Sequence, residues 1–474
     1  MSKCETSLLF YDLETTGLNP CFDQAIQFAA IRTNLELEEL ERIEIRIRLR
    51  KDVIVSPMAL LTHKQPIEKL LEGISEYEAA KKIYRLMTKP NTLALGYNSL
   101  QFDDEMLRFM FFRHLLPAYD HQFKDGCYRG DLLPIVALYW LVKPEALKWP
   151  AAENLKLEEL ASCNQLTHGP AHDALVDVEA CVELAKRLRQ HRELWDYALN
   201  YFQKKIDITR QSKLPFGFTT ENHQFQEAIL LDTKYGRAIN YLIPAVQLGG
   251  HEIYQNQTIW LRLDQHDFSQ NNHPSLDEII PIKKKMGERP FVLPIDKPIL
   301  GAKISAERWE MVQKNKAFFL HDSKKFVSLR ERLLRETYPV IESIDPYAAL
   351  YQMGFATSDE KAQLQAYHRQ DDINKVKWLD RFKNPIYQEL AIRQLSENNQ
   401  ELPEDLSKKY KNYLDSLYTN PEHVRLDYKN QHQLSAHKAL EELDAKLTED
   451  NHLLSNYRDY LNHLKDHLIK QSTA

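Results

Sequence analysis

Residues 8–17 read Leu-Leu-Phe-Tyr-Asp-Leu-Glu-Thr-Thr-Gly, and this stretch decides the fold of the first part of the chain. An apolar run that ends in acidic residues and a turn sequence is typical of a buried strand. Asp12 and Glu14, two residues apart, project from the same face, while Tyr11 and Leu13 point the other way. Such a pair repels itself unless a cation lies between, and Mg²⁺ or Mn²⁺ prefers oxygen ligands. A bare pair of this kind also occurs at a solvent-exposed strand end.

Strands and helices alternate around this stretch up to about residue 190. Residues 43–50 alternate apolar and charged side chains, which predicts a half-buried strand. Residues 93–97 predict a further strand, and residues 104–112 have the apolar spacing of a helix. This order predicts an α/β domain.

A second acidic element lies in residues 96–105, which lead from a strand through a loop into a helix. Asp103 is predicted to lie near the start of that helix. An Asp at such a place often caps the helix or stabilises its dipole, and the same alternative holds for Asp104.

A third element, residues 167–177, is a Gly-Pro loop followed by a helix. Asp177 is predicted to face inward from the first turns of that helix. His172 is predicted to lie on the loop, within reach of a metal-bound water without being a ligand itself. A lone loop histidine is more often a surface or packing residue, and an Asp in a first helical turn often stabilises the dipole.

The chain has 474 residues, which is more than one hydrophobic core usually organises, so two or three domains are expected. No apolar run is long enough for a membrane helix, and the first twenty residues lack a signal-like pattern, so a cytoplasmic location is expected. Five cysteines without a CxxC pair fit neither a disulfide framework nor a zinc knuckle.

Charge is unevenly distributed along the chain. The net charge is −6, yet residues 281–336 contain 14 Lys and Arg against 7 Asp and Glu. A local excess of this kind suits phosphate binding, although it is equally typical of a solvated surface. Beyond about residue 200, short apolar runs broken by Pro and Gly predict a β-rich domain, and from Tyr347 onward the composition predicts helices.

The three acidic elements, in this order, resemble the three motifs of the DEDDh exonuclease superfamily, whose folds are RNase H-like. The second motif includes Asn98 besides Asp103, and the third includes both His172 and Asp177. Within the superfamily the chain is similar to the bacterial exonuclease I family over nearly its full length, although residues 215–290 match too weakly to align individual DNA contacts. The similar stretches are residues 27–33, 96–98, 102–105, 131–133, 156–160, 171–174, 350–351 and 354–355.

The resemblance implies metal-dependent removal of nucleotides, one at a time, from the 3′ end of single-stranded DNA, with 5′-mononucleotides as products. It implies that Asp12, Glu14 and Asp177 hold one metal ion and that Asp12 shares a second with Asp103. The ions would be Mg²⁺, with Mn²⁺ as a possible substitute, and His172 would be the general base.

The same resemblance implies further contacts with the strand. Glu14 is expected to touch substrate as well as metal. Lys156 stands where the family places a substrate-contacting basic residue, although a relative has arginine there, and lysine lacks the bidentate fork of arginine. Tyr119 and Phe123 would stack on bases or be core aromatics, and Arg108 is a further candidate for a backbone contact.

Three domains are expected from the resemblance: an RNase H-like exonuclease domain over residues 1–192, an SH3-like β-rich domain over 193–338 and a helical domain over 339–474. Together they would enclose the strand along a basic path, favour processive digestion and exclude duplex DNA. The expected partner is the C-terminal tail of single-stranded-DNA-binding protein, the expected state is a monomer, and the implied pathways are DNA repair and recombination. The alternatives are a nuclease that acts on RNA or proofreads polymerase ends, and an inactive nucleic-acid-binding scaffold.

Overall fold

The structure is a computed structural model. It describes residues 6–151, 154–166, 173–220, 223–270, 278–398, 402–423, 425–446 and 451–472.

The first sheet is mixed, as expected for an RNase H-like domain, and its strand order is β3-β2-β1-β4-β5. The first three strands are antiparallel neighbours, whereas β4 runs parallel to β1 and β5 parallel to β4. The stretch that decides the fold is therefore the central strand. The strands are β1 (Ser7–Thr15), β2 (Ala25–Thr33), β3 (Glu39–Arg46), β4 (Thr92–Gly96) and β5 (Tyr128–Asp131).

Helices cover both faces of this sheet. One apolar core joins β1 to α3 and α4, and a second joins the opposite face to α5 and α7. The helices predicted after residues 103 and 173 are both present. The helices of this region are α1 (Pro57–His63), α2 (Ile67–Leu70), α3 (Glu76–Met87), α4 (Asp103–Arg113), α5 (Leu132–Val142), α6 (Leu157–Asn164), α7 (Ala174–Arg189), α8 (Arg192–Leu199) and α9 (Lys204–Ser212).

The second sheet is antiparallel, with the order β10-β9-β8-β7-β11 and with β6 paired to β7. The predicted β-rich region is therefore present, but its strands occupy only the middle of residues 193–338. Helices α11 and α12 pack on this sheet through apolar side chains such as Phe319 and Leu333. The elements are β6 (Phe216–Thr219), β7 (Gln224–Leu231), β8 (Leu242–Gly250), β9 (Gln257–Arg262), β10 (Ile282–Lys285), β11 (Phe291–Pro294), α10 (Pro298–Gly301), α11 (Ala306–His321) and α12 (Ser323–Arg335).

The last part of the chain is helical, as predicted. Among the described helices, none is both long and apolar enough to cross a membrane. The helices are α13 (Leu350–Met353), α14 (Ser358–His368), α15 (Asp372–Trp378), α16 (Pro385–Glu397), α17 (Glu404–Thr419), α18 (Ala436–Lys446) and α19 (His452–Ser472).

Apolar cores cross both predicted domain boundaries. Leu231 and Phe291 of the second sheet join the core that contains α5 and α7. Leu454 of α19 packs with Val55 and Leu60 of the first region. The three regions are therefore packed together through shared cores, while the SH3-like character of the second region and the three boundaries stay predictions.

The basic excess of residues 281–336 is partly neutralised in the fold. Lys284, for example, is fully buried and its Nζ lies 2.7 Å from a carboxylate oxygen of Asp207. Five of its Lys and Arg pair with acids from outside the segment, whereas Glu288 of the segment pairs with Arg129 outside it. The basic path stays a prediction. The further pairs with such acids are Arg289–Asp232, Arg308–Asp264, Lys316–Glu227 and Arg335–Glu252.

Leu454 tests the shared core between the helical region and the first sheet. Because its side chain is fully buried, Leu454→Ala should lower the free energy of unfolding by about 2 to 5 kcal/mol through lost burial and a cavity. Leu40→Ala, at a side chain that is 60% exposed on β3, should change it by less than about 0.5 kcal/mol. Urea unfolding monitored by circular dichroism measures both, and equal effects would contradict the docking of α19.

Candidate active site

Three carboxylates meet where the central strand passes the start of α7. One oxygen each of Asp12, Glu14 and Asp177 lies within 4.8 Å of the others. The strand alternation brings the first two together, and α7 packs across β1 and β2 with Asp177 in its first turn. Asp173 caps this helix by accepting a hydrogen bond from the Leu175 backbone at 3.0 Å, which fixes that turn. The predicted clustering of these three residues is therefore present.

Asp103 approaches the same group from α4. The N-cap of α4 is Phe102, which makes no side-chain cap, so Asp103 does not serve as the N-cap. Its charge raises the pKa of both Asp12 and Glu14 on β1. Asp103 therefore reaches the strand that carries the first two carboxylates, although it lies outside the set of three within 4.8 Å.

Burial and mutual repulsion disfavour negative charge in this group. Burial, followed by the charges of Asp103 and Asp177, raises the pKa of Asp12 well above its ordinary value. Burial, followed by the charges of Asp177 and Asp103, raises the pKa of Glu14 to about 8. Burial and the charge of Asp131 raise the pKa of Asp103 to about 8. Cations would relieve this repulsion, and carboxylate oxygens are the donors that Mg²⁺ and Mn²⁺ prefer, so the residues fit a divalent-metal site.

Asp131 anchors the loop that leads to Asp103. Its buried carboxylate accepts hydrogen bonds from the backbone of Asn98 at 2.8 Å, Leu100 at 3.4 Å and Leu133 at 2.9 Å. Asn98 has left-handed backbone geometry, with φ of 60°, which this anchoring stabilises. Asp131 lies in one of the stretches that resemble the exonuclease I family, but the sequence predicts no function for it. Its partners are backbone groups, among them those of the preceding loop, and no sequence pattern indicates such contacts.

A cleft of about 820 Å³ opens beside the carboxylates. Lys156 lines it together with Asn98 and Asp177, so the structure brings this predicted substrate contact to the same cleft as the site. Lys234 and Arg289 line it from the second region. Sequence reasoning did not single out those two cations; Arg289 lay within the basic segment, but no motif marks either residue.

The other predicted substrate contacts lie apart from the cleft. Arg108 is buried, with its guanidinium 2.6 Å from Asp104 and 2.5 Å from the Tyr351 hydroxyl, so its donors point to protein groups. Tyr119 is half-buried, and its ring contacts that of Phe355 at 5.5 Å. Phe123 is 67% exposed, which is unlike an ordinary core aromatic. The side chain of Phe355 is 81% exposed, and together with Tyr119 it forms an aromatic surface. The sequence predicts no function for Phe355.

His172, the predicted general base, lies outside the described residues. The described chain resumes at Asp173, directly beside it.

Comparisons with known proteins agree with this site and fold. Residues 9–185 match the family model RNase_T, described as Exonuclease. Exodeoxyribonuclease I of Buchnera aphidicola subsp. Baizongia pistaciae is 31% identical over 55% of this chain and 53% of its own length. Exodeoxyribonuclease I of Escherichia coli K12 is 35% identical over 45% of this chain and 47% of its own length. The chain thus spans about half the length of the curated relatives it matches.

Solved structures extend the likeness to the whole fold. An exonuclease I from Methylocaldum szegediense has a TM-score of 0.78 and 22% identity, covering 97% of this chain and 100% of that one. Exonuclease I of E. coli in complex with a dA16 oligonucleotide has a TM-score of 0.78 and 20% identity, covering 98% of this chain and 100% of that one.

Fold and site together define the class: the first region is similar to an exonuclease family over residues 9–185 and has a carboxylate cluster suited to divalent metal ions. The match of residues 9–185 to an exonuclease family model supports the resemblance of this region to the DEDDh exonuclease superfamily. Over nearly its full length it has the fold of exonuclease I.

The repulsion between the carboxylates predicts a pH-dependent stability in the absence of metal. The pKa of Glu14 is raised from 4.5 to about 8, so the folded state binds the proton more tightly than the unfolded state. The resulting stabilisation is complete below about 4.5 and is lost as pH rises towards 8. In EDTA, Glu14→Gln should therefore melt at a higher temperature than the wild type at pH 8, and the difference should shrink at pH 5.

Thermal unfolding at both pH values, with and without Mn²⁺, measures this effect. The variant should also gain less stability from Mn²⁺, because it offers one charged ligand fewer. Glu310→Gln, on an exposed side chain of α11, is the matched control. A wild type that is more stable than Glu14→Gln in EDTA at pH 8 would contradict the repulsion.

Proposed function

We propose that this protein degrades single-stranded DNA from the 3′ end, processively, and releases 5′-mononucleotides. The observation that carries the proposal is the convergence of Asp12, Glu14 and Asp177, with Asp103 close by. Asp177 lines a cleft that the second region also lines. The names of the similar proteins support it, since they are exodeoxyribonucleases I. The solved E. coli structures contain DNA oligonucleotides, which supports a single strand as substrate.

We propose two Mg²⁺ ions as cofactors, with Mn²⁺ as a substitute. Asp12, Glu14 and Asp177 would hold one ion, and Asp12 and Asp103 would hold the other. When bound, such ions activate the attacking water and stabilise the departing 3′ oxygen. The donor set supports this choice, because all four side chains offer carboxylate oxygens and burial disfavours leaving them charged and uncompensated.

His172 is proposed as the general base that takes the proton of the attacking water. An imidazole with an unperturbed pKa of about 6.5 suits this step near neutral pH. The position of Asp173 supports the assignment, because this neighbour of His172 is close enough to the carboxylates for its charge to raise the pKa of Asp12.

The strand is proposed to cross the cleft between two sets of cations. Lys156 would bind its phosphates from the first region, which we call the nuclease domain below. Lys234 and Arg289 would bind them from the opposite wall, in the second region. Tyr119 and Phe123 would stack on bases farther along, and the exposed ring of Phe355 next to Tyr119 extends that surface. Stacking of this kind tolerates any base, which suits digestion without sequence preference.

The proposed partner is the C-terminal tail of single-stranded-DNA-binding protein. The resemblance to exonuclease I supports this partner. A cleft lined by two regions of the same chain needs no second copy to complete it, so we propose a monomer that works in the cytoplasm.

Removing a metal ligand tests the mechanism. Asp12→Asn and Asp177→Asn should each lower the rate of DNA cleavage by more than about 100-fold. Losing a group that only hydrogen-bonds to a metal ligand costs about 10- to 100-fold, and losing the ligand itself should cost more. Binding of a labelled strand, measured by fluorescence anisotropy, should survive. Asp196→Asn, at an exposed side chain of α8, is the control and should keep full activity. Cleavage that persists in EDTA or in both site variants would refute the mechanism.

The substrate is tested with end-labelled strands digested in parallel with Mg²⁺. Single-stranded DNA with a free 3′ end should yield 5′-mononucleotides, whereas a 3′-blocked strand and duplex DNA should resist. An RNA strand of the same sequence should be degraded more slowly. Preference for RNA would favour an RNA-trimming enzyme, and binding without cleavage of any strand would favour a scaffold.

A further inference from the structure

Asp104, the residue after Asp103, is fully buried and binds three side chains. Its Oδ2 lies 2.6 Å from Arg108 Nη2 and also contacts Arg129. Its Oδ1 lies 2.9 Å from His121 Nε2. The first turn of α4 is therefore held by a buried ionic network directly next to the proposed metal ligand.

The second region is connected to this network through Arg129. Glu288 lies in the turn between β10 and β11, and its Oε1 is 2.6 Å from Arg129 Nη2. The backbone carbonyl of Glu288 also accepts a hydrogen bond from the buried Lys284, which fixes the turn. Arg129 thus bridges a carboxylate of the nuclease domain and one of the second region.

The helical region is connected through Arg108. The Tyr351 hydroxyl of α13 accepts a hydrogen bond from Arg108 Nη1 at 2.5 Å and donates one to Glu105 Oε2 at 2.5 Å. The ring of Tyr351 packs edge-on against that of Phe109 at 5.4 Å. One helical turn, with Glu105 and Arg108 at its ends, therefore holds the helical region.

The position of Asp103 is set separately from the other three carboxylates. Asp12 and Glu14 share the central strand, and Asp177 lies on a helix packed against that strand. Asp103 depends on the placement of α4, and it lies outside the set of three within 4.8 Å. A small shift of α4 would therefore change how Asp103 shares an ion while leaving the other three in place.

We propose that Glu288 and Tyr351 are positioning residues for the second metal ion. Through Arg129 and Arg108 they fix Asp104, and with it the turn that carries Asp103. Divalent metal is bound at full affinity only when both other regions are docked on the nuclease domain. This inference rests on the proposed function for its purpose, but it concerns metal binding and can be tested without cleavage.

The test is a Mn²⁺ titration followed by thermal unfolding, in the full-length chain without DNA. Glu288→Gln and Tyr351→Phe should each raise the Mn²⁺ concentration that gives half of the maximal stabilisation by about threefold to tenfold. Removing a group that is hydrogen-bonded directly to a metal ligand typically lowers metal affinity by about 10- to 100-fold. We expect a smaller effect here, because Glu288 and Tyr351 act on Asp103 only through arginines and Asp104. The half-saturating Mg²⁺ concentration for cleavage should rise by the same factor.

Matched controls remove similar groups elsewhere. Tyr418→Phe deletes a hydroxyl that donates to the Lys51 carbonyl at 2.9 Å, also between the helical region and the nuclease domain. Glu252→Gln removes a carboxylate of the second region that pairs with Arg335. Both controls should bind Mn²⁺ as the wild type does.

A double-mutant cycle separates positioning from a general loss of stability. In an Asp103→Asn background, Glu288→Gln and Tyr351→Phe should have no further effect on Mn²⁺ binding, because the ligand they position is already impaired. An undiminished effect in that background, or unchanged Mn²⁺ binding in both single variants, would overturn the inference. A wild type that binds Mn²⁺ but cleaves no DNA would instead refute the proposed function alone.

Discussion

Negative charges held close together in a buried place repel each other, and the rest of this structure is organised around that repulsion. Burial and neighbouring carboxylates raise the pKa of Asp12, Glu14 and Asp103 alike. Such a cluster lowers the stability of the metal-free fold, so its geometry must be maintained by contacts elsewhere. The backbone bonds to Asp131 and the ionic network around Asp104 provide those contacts.

Buried ion pairs recur where the helical region meets the nuclease domain. Arg50 lies 2.8 Å from Asp52 and also pairs with Glu76, which His114 approaches at 2.8 Å. The ring of Tyr347 from the helical region lies 5.3 Å from the Arg50 guanidinium. These ion pairs join residues of the first region to one another, and Tyr347 adds a cation–π contact that crosses to the helical region. Apolar cores supply the attraction between the regions, and the contact of Tyr347 with Arg50 adds a preference for one relative position.

Local patterns were sufficient for the motif residues on β1, α4 and α7. Strand alternation places Asp12 and Glu14 on one face, and a helix start near Asp103 follows from apolar spacing. The opposite wall of the cleft could not be predicted, because Lys234 and Arg289 reach it only through the packing of the second region. The ion pairs of the basic segment could not be predicted for the same reason, because their acidic partners, such as Asp207 and Glu227, are distant in sequence. Arg108, predicted as a strand contact, instead lies in the Asp104 network, whose partners Glu288 and Tyr351 come from other regions.

The placement of these charges bears on how an acidic protein can hold a polyanion. Affinity for a strand depends on the cations that face it rather than on the net charge of the chain. Here five of the 14 Lys and Arg of residues 281–336, Arg289 among them, pair with acids from outside that segment. Among the described residues, the cations that line the cleft are Lys156, Lys234 and Arg289. Under the proposed function, a few cation contacts would bind each phosphate weakly, which would let the strand advance after each step.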